Sequence, residues 1–326
     1  MALQGFNPRW KDFPDYILGI THEIWEEKKV ETLNHYYAPD LIVRSPASIV
    51  VGNQAVIAAT HATLEEFPDR ELLGEDVIWS GTPETGMLSS HRILSTATHA
   101  KDGAYGEATG KKLEYRVIAD CHAINDQIND EWLIRDQGHI VRQLDLDPKE
   151  FTKEQIAREG GPNKAIRPFT PMIDQTGPYQ GRGNDNDWGA RLANILTQIA
   201  AGNRGVIRES YDRACQLEFA GGITAHSFGG AEDFWESFLA SFPDAEFKIE
   251  HQIGREDPMV SPRAAVRWSL SGKHSGEGLF GAPTGADVYV MGMTHAEFGP
   301  WGLRREYTLF DETAVWKQIL LQEAAS

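Results

Sequence analysis

Cysteine is scarce in this chain of 326 residues: Cys121 and Cys215 are the only two. That is too few for a disulfide framework or a four-thiolate zinc site, so both read as small buried hydrophobes. Positive charge is also short. Lys and Arg number 31 against 48 Asp and Glu, and the net charge of −17 repels phosphate backbones and anionic lipid. No basic cluster offsets it, so neither nucleic acid nor a membrane is an expected partner. No apolar run approaches the roughly 20 residues of a membrane span. The opening residues, MALQGFNPRWKDFPD, lack a basic start leading into an apolar core. A cytoplasmic protein is expected. Missing too are a Gly-x-Ser-x-Gly elbow and any Gly-rich loop that opens a helix after a strand; Gly276-Glu277-Gly278 does not qualify. His91, His99, His122 and His139 with Asp120 lack metal-ligand spacing. No cofactor and no metal is expected.

What is present is a repeat. Phe67-Pro68-Asp69 recurs as Phe242-Pro243-Asp244, an offset of 175 residues, and the same shift carries Thr109-Gly110 onto Thr284-Gly285. It also sets Asp12 on Asp187, Tyr36 on Tyr211, Arg92 on Arg267, His99 on His274, Glu131 on Glu306 and Asp136 on Asp311. One offset holding from end to end indicates a tandem duplication. The expected division is a first repeat over 1–150, a linker over 151–186 and a second repeat over 187–326, which also suits a length of two domains at roughly 150 residues each. The Pro- and Gly-rich stretch EGGPNKAIRPFTPMIDQTGPYQGRGNDND marks the linker.

Within each copy the periodicity changes once. Ile17, Ile20 and Ile24, and then Leu192, Ile195, Leu196 and Ile199, follow the helical period. A second helix precedes each Phe-Pro-Asp turn, with Phe234, Phe238 and Phe242 on one face. Beyond the turn, segments such as KKLEYRVIADCHAI and ADVYVMGMTHAEF read as successive strands. A short helix closes each copy, with Asp136 and Asp311 placed as N-caps. Helices followed by a curved, mainly antiparallel sheet make an α+β fold, repeated.

The segment RWSLSGKHSGEGLFGAPTGADV, Arg267 to Val288, resembles the signature of SnoaL-like polyketide cyclases, a branch of the nuclear-transport-factor-like cone fold. The first copy keeps Arg92, Thr98-His99, Gly103, Gly106 and Thr109-Gly110, and the stretch from Trp25 to Asp40 is similar to the family as well. The resemblance implies two tandem cone-shaped α+β barrels, each with a helix layer and one deep, largely apolar pocket. It also implies a cofactor-free cyclase or isomerase acting on a small hydrophobic carbonyl compound, or a non-catalytic binding or scaffold protein of the same fold. The two cones are expected to pair as an internal pseudo-dimer, with homo-oligomerisation left open.

Proton abstraction beside a carbonyl needs a carboxylate or imidazole in an apolar cavity, plus donors for the enolate oxygen. Asp120 and His122 lie two apart on a strand and so share a face. At the common offset they become His295 and Glu297, again one imidazole and one carboxylate. These four are the candidate catalytic residues. The family carries its acid/base aspartate on this strand, at a position that matches Asp120 or, one residue earlier, Ala119; Thr294 is the equivalent of Ala119. His99 and His274 in the turns, Arg92 and Arg267 on the preceding strands, and Trp268 beside Arg267 are the candidate substrate-binding residues. Glu131 and Glu306 are expected in ion pairs with Arg135 or Arg304.

Overall fold

The computed structural model describes residues 3–324. In the first repeat, α1 (Phe13–Thr21) and the short α2 (Leu33–Tyr36) lead into β1 (Tyr37–Ser45) and β2 (Ser48–Val51). Then come α3 (Asn53–Glu66), the strands β3 (Glu71–Thr82), β4 (Gly86–Thr98), β5 (Lys112–Ile124) and β6 (Gln127–Arg135), and α4 (Gln137–Gln143). After α5 (Pro148–Arg158) the plan recurs. The second repeat holds α6 (Asp187–Ala200), α7 (Gly205–Ser210), β7 (Tyr211–Phe219), β8 (Ile223–His226), α8 (Ser227–Ala240), β9 (Glu246–Arg255), β10 (Arg263–Lys273), β11 (Asp287–Gly299), β12 (Gly302–Phe310) and α9 (Glu312–Glu323).

Local chemistry explains these boundaries. Asp12 accepts the Asp15 amide at 2.9 Å, and Asn186 accepts that of Trp188 at 3.0 Å, so both opening helices are capped. Asp136 and Asp311 cap the closing helices as expected, accepting from the amides of His139 at 3.0 Å and Thr313 at 2.9 Å. Asp136 does more: it also accepts from Gly221 and Gly222 of the other repeat. In the Phe-Pro-Asp turn, Phe67 is buried and Asp69 accepts from both the amide and the hydroxyl of Thr98.

Each repeat forms one six-stranded sheet, ordered β2-β1-β6-β5-β4-β3 and β8-β7-β12-β11-β10-β9. All neighbours are antiparallel except β1 with β6 and β7 with β12, which run parallel. The sheets curl without closing. Register is conserved through the duplication: Arg92 faces Ile118, and Arg267 faces Met293 at the same offset. The one slip in the sheets takes the whole first strand: Tyr37 and Val43 lie beside Ile128 and Glu131, and Tyr211 and Leu217 lie beside Leu303 and Glu306. Tyr37, and not Tyr36, is therefore the structural equivalent of Tyr211.

The two sheets meet back to back. Ile118 and Ile134 pack on Met291, Met293 and Leu309, with Phe169 of the linker in the same cluster. Ile78 and Leu88 pack on Ile253 and Ala265. Arg92 lies 3.7 Å over the ring of Tyr307, and Arg267 lies 3.7 Å over that of Trp132. Because Arg92 and Arg267 are equivalent, as are Trp132 and Tyr307, the contact is isologous, which is the signature of a pseudo-two-fold axis.

The expected linker is ordered by specific contacts. Its first part belongs to α5, started by Asp147 and Pro148 and held against α9 by Lys317, whose ammonium lies 2.7 Å from Glu159. Farther on, Phe169 donates its amide to Pro46 at 3.0 Å, and the Tyr179 hydroxyl lies 2.7 Å from His251 Nε2. Among the described residues no helix is long and apolar enough to cross a membrane.

Candidate functional site

Strand alternation decides which side chains can meet a ligand. On β5, Val117, Ala119 and Cys121 point into the first cone and line a cavity of about 200 Å³. The alternate residues, Ile118, Asp120 and His122, therefore face the seam between the repeats. Asp120 is buried there, 3.5 Å from Arg267. Burial raises its carboxyl above the ordinary range, with Arg267 pulling the other way. His295, its equivalent, has Nε2 at 2.8 Å from Ser90 Oγ and Nδ1 at 3.5 Å from Arg92, and burial drives its imidazole well down. His122 packs against the Tyr179 ring and bonds Asn129 at 2.7 Å. Glu297 pairs with Arg305 at 3.1 Å and lies 3.9 Å from Arg92.

None of the expected catalytic residues, then, lies in the first cavity, and the same is true of Arg92 and Arg267. All six sit at the seam because they occupy the outward phase of their strands. His99 and His274 are also elsewhere. Each ring is fully buried in its own turn, with Nδ1 at 3.1 Å from Thr109 and Thr284, respectively. These are hydrogen bonds that shape the loop. The four histidines His91, His99, His122 and His139 are dispersed, and no group of three potential metal ligands converges among the described residues.

The cavity wall is mainly apolar: Ile17, Ile20, Trp25, Val43, Val56, Ile93 and Leu133 contribute to it. An apolar cavity of about 150 Å³ accepts benzene, so this one has room for a compact ring system. Into it project His91, Glu131, Tyr37, Arg70 and Arg135. Burial, reinforced by Arg92, holds the His91 imidazole down at about 3, so the ring is neutral, and its Nε2 has no hydrogen-bond partner. Burial pushes the Glu131 carboxyl up to about 7, partly opposed by a hydrogen bond with Tyr37. Its Oε2 is unpartnered, and no ion pair with Arg135 forms among the described residues.

The second cone is filled, contrary to the expectation of one pocket per repeat. Ala59, Thr60, Thr63, Ile93 and Arg135 line the first cavity. At the common offset they become Phe234, Trp235, Phe238, Trp268 and Phe310, all in one buried cluster. Phe238 stacks on Phe310 with ring centroids 4.7 Å apart. A Cβ at Gly292 would lie 2.1 Å from the Trp268 ring, so that glycine makes room for the indole. Trp268, expected to touch substrate, is part of the plug.

Filling also consumes the polar groups. Trp268 donates to Thr294 Oγ1 at 3.1 Å, and the Thr294 and Thr308 hydroxyls are 2.8 Å apart. Thr308 donates to Glu306 at 2.7 Å, and Tyr211 donates to the other Glu306 oxygen at 2.6 Å. The matching positions in the first repeat are Ile93, Ala119, Leu133, Glu131 and Tyr37. Three links of the chain are gone there, and the glutamate keeps a free oxygen. The expected partner of Glu306, Arg304, plays no part in this network.

The family comparison agrees with the duplicated fold. A family model described as SnoaL-like polyketide cyclase matches residues 16–144 and again residues 206–319. Among solved structures, IdmH from Streptomyces antibioticus is similar at 21% identity and a TM-score of 0.36, over 41% of this chain and 98% of its own. AclR from Streptomyces galilaeus is similar at 17% identity and a TM-score of 0.35, over 40% of this chain and 94% of its own. TsrD from Streptomyces laurentii is similar at 17% identity and a TM-score of 0.35, over 40% and 92%. Comparison with curated proteins returns no match.

Proposed function

Since the chain belongs to the SnoaL-like polyketide cyclase family, with a match in each repeat, we propose that its first cone binds a small, largely hydrophobic carbonyl compound. There it moves a proton without a cofactor, as a cyclase or isomerase does, while the second cone serves as a structural partner. The observation that supports this most is Glu131: a buried carboxylate with one unpartnered oxygen, lining an apolar cavity, with a pKa of about 7. A general base works best when its pKa lies near the operating pH.

In the step envisaged, Glu131 takes a proton from the carbon next to the carbonyl, and the C–H electron pair becomes the enolate π bond. The carbonyl oxygen gains the charge, where neutral His91 and the nearby guanidiniums offer donors. Bond formation or reprotonation at carbon then discharges the enolate, and the proton on Glu131 returns to the ligand or to water. Asp120, His122, His295 and Glu297 have no part in it.

A second reading, ligand binding without turnover, draws on Ala119. The family's acid/base aspartate falls on this strand, and the residue that faces the cavity at the matching position has a methyl group. Exchange of the α-protons of 2-tetralone in D₂O separates the two. Base catalysis by Glu131 predicts exchange above the buffer rate that drops about 10²–10⁴-fold in Glu131→Gln. Exchange that is unchanged in Glu131→Gln rejects Glu131 as the base, and binding without exchange favours the second reading.

A further inference from the structure

Where the first cavity ends, it adjoins a second, more polar compartment of about 320 Å³; Thr63 and Arg135 line both. Its far wall comes from the other repeat, through Asp311, Thr313 and Lys317. At the boundary, the Tyr115 hydroxyl is near two guanidiniums, those of Arg70 and Arg135. Arg70 is buried, with Nε 3.4 Å from Ser95 Oγ, and hydrogen-bonds the Tyr115 hydroxyl. Arg135 lines both compartments, and its Nε has no hydrogen-bond partner.

Neither guanidinium has a carboxylate within 4.0 Å among the described residues. Two buried acids line the second compartment, Asp311 and Glu66, and neither forms an ion pair with Arg70 or Arg135, although the charge of Asp311 reaches Arg135 from farther off. Asp311 caps α9, and Glu66 accepts from the amides of Ala104 and Tyr105. Lys317 is held by Glu159. Buried charges are ordinarily paired, because an unpaired one loses its hydration without return. Burial would push the Tyr115 hydroxyl up, yet Arg70 and Arg135 outweigh it and hold it below the ordinary phenol value. Arg135 also meets the Tyr105 hydroxyl, so both guanidiniums have phenol partners but no carboxylate in contact.

We infer that the ligand of the first cone is an organic acid, whose ring body occupies the apolar cavity and whose carboxylate is held between Arg70 and Arg135. This rests on the first cone being the ligand site, and it adds the chemical class of the ligand. The second repeat then contributes to recognition by closing the polar compartment around the acidic end. Two planar forks facing one carboxylate supply charge-assisted hydrogen bonds that a neutral isostere cannot accept equally well.

Calorimetric titration of the full chain with 2-naphthoate and with its neutral counterpart 2-naphthamide tests this. The expected result is binding of naphthoate about tenfold or more tighter than naphthamide. That preference should shrink to within about twofold in Arg135→Gln and in Arg70→Gln. Equal affinities in the wild-type chain overturn the anion site while leaving the cone as a ligand site. Binding of neither probe overturns both. A preference that survives both substitutions overturns the assignment to these arginines. Should a variant fail to fold, a crystal structure of the wild-type naphthoate complex decides: a carboxylate between Arg70 and Arg135 supports the inference, and one placed elsewhere contradicts it.

Discussion

Trp268 donates its indole N–H to the hydroxyl of Thr294 at 3.1 Å, and that single bond divides the two repeats. The matching pair in the first repeat is Ile93 and Ala119, both of which line an open cavity. One copy has exchanged pocket for core. The second repeat buries Trp235, Trp268, Phe238 and Phe310, while the first leaves a cavity at the equivalent positions.

Substitution should therefore behave oppositely in the two halves. Trp268→Ala is expected to cost about 3–5 kcal/mol, as for other large-to-small changes in a tight core. Thr63→Phe, which copies Phe238 into the open cone, should cost less than about 1 kcal/mol because it enters existing space, yet abolish binding of 2-naphthoate. Urea denaturation and calorimetric titration check both. A large stability loss in Thr63→Phe would mean that the first cavity cannot be filled.

The seam gives a second prediction. Asp120→Asn leaves the buried Arg267 without its acidic neighbour, and destabilisation on the order of 3 kcal/mol is expected. Binding at the first cavity should persist under conditions where the variant is folded. Glu297→Gln, at a more open edge of the seam, should cost about 1 kcal/mol or less. Loss of α-proton exchange in a folded Asp120→Asn protein would return that aspartate to the chemistry.

A third prediction concerns pH. The Glu131 carboxyl goes from its ordinary value of 4.5 to about 7 on folding. Between these values the unfolded chain has released the proton and the folded chain still holds it. Its contribution to stability is thus fully present below about 4.5 and is lost as pH rises through about 7. Glu131→Gln removes this dependence. The difference in unfolding free energy between variant and wild type should therefore move by about 3 kcal/mol in favour of the variant between pH 4 and pH 8. A constant difference across that range would show that Glu131 is ionised normally.

Much of the architecture was legible because duplication leaves a trace that needs no structure: one offset aligned the Phe-Pro-Asp turns, the caps of the closing helices and every strand but the first. The same offset held the clue to the filled cone. Thr60 opposite Trp235 and Thr63 opposite Phe238 are small-for-large exchanges on one helix face. Asp120 and His122, the candidate residues of the first repeat, stand one residue of strand phase away from the cavity. Along Ala119-Asp120-Cys121-His122, small apolar residues alternate with polar ones, so the apolar phase marks the concave side, and Asp120 falls on the other. Family resemblance drew attention to an aspartate on that strand, and phase then put Ala119 in the cavity. Glu131 is expected in an ion pair with an arginine of the sheet, Arg135 or Arg304, but no such pair forms among the described residues, and Oε2 of Glu131 has no partner. Arg70 and Tyr115 carry no local motif. Only the sheet's register brings them to one place, with Tyr115 opposite Ser95.

The most direct test is crystallographic: the protein pressurised with xenon. Xenon enters apolar cavities without needing a matched ligand. The predicted result is xenon in the first cone, among Ile17, Val43, Val117 and Leu133, with none inside the second repeat near Trp235 and Trp268. Xenon in both cones at similar occupancy, or in the second alone, would contradict the division into one open and one filled repeat.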